Sequence, residues 1–196
     1  WIDQQRTEQR AGSELITAPD QGERLDTEGD FRIILTEEEL LSTLRRAREY
    51  FNEYRDNMAQ REINRILASN ASQPIRERAR LLENYLQEPD FTSFRDNFTY
   101  NEVAREPWLY QKTYVRWKGT VSNLEFTDEQ INFDFLVGYQ DRQILEGVVP
   151  AYLEFAALLE GGQAVELIGE VQLADNEAGF GLRVSSVRML VPGSRD

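Results

Sequence analysis

Tyr114-Val115-Arg116-Trp117-Lys118-Gly119-Thr120-Val121 places Val115, Trp117 and Val121 on one side and Tyr114, Arg116 and Lys118 on the other. Side chains of a β-strand alternate between faces, so this stretch predicts a strand with one face in a core. Gly119 interrupts it, as glycine does where a strand bends too sharply for a side chain. Downstream the pattern repeats. Thr127-Asp128-Glu129-Gln130 is a turn, and Ile131, Phe133, Phe135 and Val137 then alternate with Asn132 and Asp134. Gly138 to Arg142 turns the chain into a third strand over Ile144–Val149. Ala151–Glu160 reads as a short helix, entered after Pro150 and ended by Gly161-Gly162. Val165, Leu167, Val171 and Leu173 mark a fourth strand with Gly169 as a second bend. A turn over 175–179 leads into a fifth strand, Phe180–Leu190.

Upstream the period changes. Thr36-Glu37-Glu38-Glu39 is a helix start, with Thr36 and Glu39 spaced as a capping box. Leu40, Leu41, Leu44, Ala47, Phe51, Tyr54, Met58, Ala59, Ile63, Ile66 and Leu67 follow at spacings of three and four. The stretch 37–69 is long for one helix, and Arg55-Asp56-Asn57 is the place for a turn that folds it into an antiparallel pair. A further helix follows Ser72-Gln73-Pro74, with Ile75, Ala79, Leu82 and Leu86 on one face, and Pro89-Asp90 ends it. Residues 1–35 are polar and acidic and predict an arm or tether, in which Phe31-Arg32-Ile33-Ile34-Leu35 is a short strand or docking segment.

Ala47, Tyr50, Ala59, Ile63 and Ile66, with Ala79 beginning a partial second copy, give the helical region a pattern that resembles the tetratricopeptide hairpin, whose repeat is about 34 residues. The order of three strands, a helix and two strands resembles the OB-fold. The two resemblances imply an α+β chain of three parts. They are an acidic arm (1–35), a tetratricopeptide-like helical region (36–106) and an OB-like barrel (107–196) of five antiparallel strands, with one helix between the third and fourth.

Composition narrows the chemistry. The 196 residues contain neither histidine nor cysteine, which excludes imidazole and thiolate catalysis, disulfides and the common zinc sites. Carboxylate groups such as Glu37-Glu38-Glu39 and Asp128-Glu129 fall at a helix start and a turn, both of which attract acids for structural reasons. Asp175-Asn176-Glu177 lacks the spacing of a calcium loop, and no phosphate-cradling glycine motif occurs. No enzymatic activity, cofactor or metal is expected.

Charge then weighs the partners. The net charge is −13, and 107–196 alone carries 7 basic and 13 acidic residues. A polyanion gains affinity chiefly from counterions released by Lys and Arg, so a negative barrel is a poor nucleic-acid binder. Lys112, Arg116 and Lys118, on or beside the first strand, form the one candidate strip for single-stranded nucleic acid, which is the alternative reading. The primary expectation is a non-catalytic protein–protein interaction module, an adaptor or scaffold. Its candidate surfaces are Tyr50, Tyr54, Arg61 and Arg65 in the helical groove, and the aromatics Trp108, Tyr110 and Tyr114 at the junction. Residues 45–80 hold 9 arginines against 5 acids, a cationic stretch beside the anionic arm that either pairs within the molecule or recruits an acidic partner. No apolar run approaches the roughly 18 residues of a membrane span. The chain opens on Trp1-Ile2, and Trp is frequent where a membrane helix meets water. A soluble part of a membrane-anchored bacterial envelope or periplasmic protein is therefore one expectation, with a cytoplasmic protein as the other.

Overall fold

The computed structural model describes residues 24–175 and 179–190. The predictions made on Trp1, on the first part of the arm and on Asn176-Glu177 lie outside these residues. The chain divides into two compact units that meet at Gln87/Glu88. The expected boundary at 106/107 is thus too late, and residues 88–106 belong with the barrel.

The first unit holds three helices, α1 (Glu37–Asn52), α2 (Asp56–Leu67) and α3 (Gln73–Glu83). The stretch 37–69 is therefore two helices. Tyr54, at φ 58, and the α2 N-cap Arg55 make the turn between them. Thr36 and Glu39 form the capping box, satisfying two N–H groups that a helix start leaves without partners. Leu40, Leu44, Ala47 and Phe51 of α1 meet Ala59, Ile63 and Ile66 of α2 and Ile75, Ala79 and Leu82 of α3 in one apolar core. Of the expected second tetratricopeptide copy, only α3 is present among the described residues of this unit.

The described part of the arm docks on these helices. Ile33 N–H donates to the Ala68 carbonyl at 3.2 Å, and Leu35 N–H to Asn70 Oδ1 at 2.7 Å. Asp26 pairs with Arg76 at 2.9 Å. Part of the anionic arm therefore does pair within the molecule.

The second unit is a closed barrel of five strands: β1 (Tyr114–Phe126), β2 (Ile131–Val137), β3 (Gly147–Leu153), β4 (Ala164–Leu173) and β5 (Phe180–Met189). Around the barrel the order is β1-β2-β3-β5-β4. All neighbours are antiparallel except β3 and β5, which run parallel through Ala151↔Leu182 and Tyr152↔Arg183. The phases read from the sequence hold: Val115, Trp117, Val121, Phe133, Phe135 and Val137 are all buried. Gly119 sits where β1 passes from pairing with β4 to pairing with β2. A Cβ there would lie 2.4 Å from the Leu136 carbonyl oxygen, so the glycine is fixed by close backbone approach. Gly169 lies at a register shift opposite β5.

Two expectations fail on the third strand. It runs Gly147–Leu153, not Ile144–Val149, and no helix forms over Ala151–Glu160. Ala151 and Tyr152 are paired on both sides, to Phe133 and Asn132 of β2 and to Leu182 and Arg183 of β5. That ladder, with Leu153 in the core, overrides the helical preference of the local sequence. Residues 154–163 then run irregularly to β4, leaving Leu158 87% exposed. The helix of this unit instead precedes β1: α4 (Tyr100–Arg105), capped by Thr99 and Glu102 and followed by a 3-10 turn over Pro107–Tyr110. Val103 of α4 is buried, and the Tyr100 ring stacks edge-on to Trp117 at 5.9 Å.

Candidate functional site

The expected cationic strip is not a free strip. Lys112 precedes β1 in a turn at φ 61, its N–H donating to the Val171 carbonyl at 2.8 Å. Arg116 points outward from β1, but its Nε donates to Glu166 Oε1 of β4 at 2.8 Å. Arg188 of β5 holds the other oxygen of the same carboxylate, its Nε donating to Oε2 at 2.5 Å. Glu166 is only 4% exposed, yet this pair of arginines keeps it charged. Burial pushes its carboxyl up, and the hydrogen bonds from Arg116 and Arg188 together outweigh that and hold it below the ordinary value. Lys118 stands opposite Glu166 in register. Nearer the start of β1, Arg183 pairs with Glu170 and lies 3.6 Å from Glu88. Cations on this face therefore alternate with carboxylates across β1, β4 and β5. Burial and the adjacent Glu170 and Glu88 carboxylates push the half-buried Tyr114 hydroxyl above its ordinary value.

The proposed protein-binding residues scatter. Tyr110 is 6% exposed and packs edge-on to Phe98 at 4.8 Å, so it is a core residue and not an anchor. Trp108 is half-buried in the 3-10 turn. In the helical unit Tyr50 packs on the apolar core with the Arg55 guanidinium 4.8 Å above its ring. Tyr54 is 48% exposed in the turn between α1 and α2. Arg61 pairs with Glu62 at 3.2 Å, and Arg65 acts electrostatically on Glu39. Buried Glu62 also takes Arg46 at 3.1 Å, so this surface too is built from ion pairs.

An open concavity of the barrel, among the described residues, lies elsewhere. A cleft of about 720 Å³ runs over the outward positions of β2 and β3, between the β1–β2 and β4–β5 hairpins. Asn132 and Asp134 line it from β2, and Pro150 and Tyr152 from β3. Asn123 and Glu125 close one side, and Gln172 and Phe180 the other. Asn123 Nδ2 donates to Asp134 Oδ2 at 2.7 Å, and Tyr152 Oη to Gln172 Oε1 at 3.0 Å. Among the described residues no Lys or Arg lines it, and its two charges are carboxylates. The sequence reading sets Asn132 and Asp134 opposite the core phase of β2 and puts Tyr152 in a helix, so it assigns none of these positions to a site. Amides and acids on the outward phase of β2, with Tyr152 on the next strand, were the signal available.

Residues 92–187 match the family described as "Spirochaete C-terminal OB fold". With the closed barrel in that strand order, the match decides the architecture. The C-terminal half is an OB fold. Residues 21–83 match a second family, described only as a domain of unknown function. No curated protein matches the chain in sequence. Solved structures similar to part of the chain include a replication protein A heterotrimer bound to single-stranded DNA. That match has 10% identity, 40% of this chain, 57% of the other and a TM-score of 0.32. The N-terminal domain of PriB from Thermoanaerobacter tencongensis matches at 18% identity, 40% and 96% coverage and a TM-score of 0.32. The second OB-fold domain of replication protein A from Methanococcus maripaludis matches at 11%, 44% and 91%, with 0.31. Likenesses this distant carry no argument about what this OB domain binds.

Proposed function

We propose that the chain is a non-catalytic interaction module whose OB domain takes an extended polypeptide segment in the cleft over β2 and β3. One observation carries the reading: among the described residues that cleft presents Glu125 and Asp134, amides and the Tyr152 and Phe180 rings, and no cation. A phosphate backbone entering it would meet like charge, whereas a Lys- or Arg-bearing peptide meets its complement. Exposed Pro150 and the half-buried ring of Tyr152 supply apolar contact, and the amides supply backbone hydrogen bonds.

The test is a titration of the isotopically labelled full chain with two probes, an unstructured Lys-Ser repeat peptide and oligothymidylate. Shifts at Asn132, Asp134 and Tyr152 with the peptide, lost in an E125Q D134N variant, support the reading. Micromolar, salt-sensitive binding of oligothymidylate with no peptide response overturns it and installs nucleic acid as the ligand.

A further inference from the structure

Residues 88–98 are neither helix nor ladder strand, yet they are tied along the outer face of β1, β4 and β5. At one end Glu88 accepts from the Tyr114 hydroxyl at 3.4 Å and faces Arg183 at 3.6 Å. The Phe91 ring lies under two guanidiniums, Arg188 at 4.7 Å and Arg116 at 5.4 Å from its centroid. At the other end the Asn97 side chain pairs with the backbone of Arg116. Its Nδ2 donates to the Arg116 carbonyl at 2.7 Å, and its Oδ1 accepts the Arg116 N–H at 2.9 Å. Between these anchors the strap bonds to itself. Asp90 Oδ1 accepts from Thr92 N–H and Ser93 N–H, each at 2.8 Å, forming a turn that presents Phe91.

We propose that this outer face is a second docking site, for a polypeptide segment carrying a carboxylate and an aromatic ring three residues apart, and that residues 88–98 occupy it in cis. The face itself states the chemistry it selects. Its cations Arg116, Arg183 and Arg188, with Lys118 opposite Glu166, outnumber the two glutamates of its own strands, Glu166 and Glu170, so the face favours a further carboxylate beside Arg183. Glu88 supplies it. Two guanidiniums facing the same ring select an aromatic residue. The strap is suited to leave. It begins where the two units part, and Glu88, Phe91 and Asn97 fix it through side chains as far as Phe98. Phe98 is buried against Tyr110, its carbonyl accepts the Trp117 Nε1–H at 2.7 Å, and it is the hinge on which residues 88–97 leave. This inference shares with the preceding section only the premise that the chain binds polypeptide. The face uses none of the cleft residues.

The experiment follows a fluorescein-labelled peptide with the sequence of residues 87–99 by anisotropy, against the full chain and its F91A N97A variant. With the strap's anchors removed, the variant binds the peptide about tenfold more tightly than the parent, in which the strap competes. A peptide with Ala in place of the Phe at position 91 alone does not bind, adding R188A to the variant abolishes binding, and adding E125Q D134N leaves it unchanged. Equal affinity of parent and variant, or equal binding of the Ala-containing peptide, overturns the proposal, as does displacement of the peptide by oligothymidylate. If circular dichroism shows the double variant unfolded, N97A alone takes its place, and hydrogen exchange on the parent decides. Opening of 88–97 well before β1 and β4 supports a strap that leaves; exchange only through global unfolding overturns it.

Discussion

Replacing Glu166 by Gln removes the charge that Arg116 and Arg188 share while keeping the side chain's size. Breaking a fully buried ion pair costs about 3–5 kcal/mol. Here the carboxylate is buried but the arginine side chains keep 30% and 47% of their exposure, so water takes up part of the loss. The remainder is of the size of charged hydrogen bonds, about 1.5–3 kcal/mol. For a domain of this length that lowers the melting midpoint by on the order of 10 °C. Urea unfolding followed by Trp fluorescence gives the free-energy difference, and calorimetry gives the midpoint. The pH dependence supplies the sign. A carboxylate whose folded pKa lies below the ordinary 4.5 contributes stability above that value and loses it as pH falls through the folded pKa. The gap between parent and E166Q is therefore full at pH 6 and closes on acidification below about 4.5. An E166Q protein within about 0.5 kcal/mol of the parent at pH 6 refutes the claim that this carboxylate organises the face. A gap that widens in acid refutes the claim that it is charged.

Four further outcomes follow from the packing. Gly119→Ala forces a Cβ against the Leu136 carbonyl oxygen and the Phe135 ring and costs about 1–3 kcal/mol or more. Gly161→Ala, with nothing within 4 Å, stays within about 0.5 kcal/mol in the same urea series. Asn97→Ala loses both bonds to the Arg116 backbone, costs about 1–2 kcal/mol and speeds hydrogen exchange at that amide. Leu158→Ser, at an exposed position in the irregular link before β4, leaves the thermal midpoint unchanged; a drop of several degrees would mean that Leu158 is packed after all.

The parts of the molecule that were legible in the sequence are those fixed by local rules. Period two placed Val115, Trp117, Phe133 and Phe135 in the barrel, and Thr36 with Glu39 located the start of α1 within one residue. The failures are tertiary. Ala151 to Glu160 carries residues that favour a helix, and only the ladders to β2 and β5 explain why its first three residues are strand. Pro89-Asp90 was visible as a helix stop, but nothing local says that Phe91 will lie beneath Arg116 and Arg188. Likewise Arg116 looked like a phosphate ligand because Glu166, its partner, is fifty positions away. Tyr110 looked like an interface anchor because its partner Phe98 comes from a stretch assigned to the other domain.

The first half of β1 pairs with β4 alone, and at Arg116 its other edge is closed by one amide side chain. An open strand edge is a template on which foreign chains add by backbone pairing, the first step toward fibrils. Asn97 reproduces the donor and acceptor of a neighbouring peptide unit but has no further backbone to offer, so growth at that rung terminates. The barrel thus guards its longest strand with a residue that imitates a strand and cannot extend one.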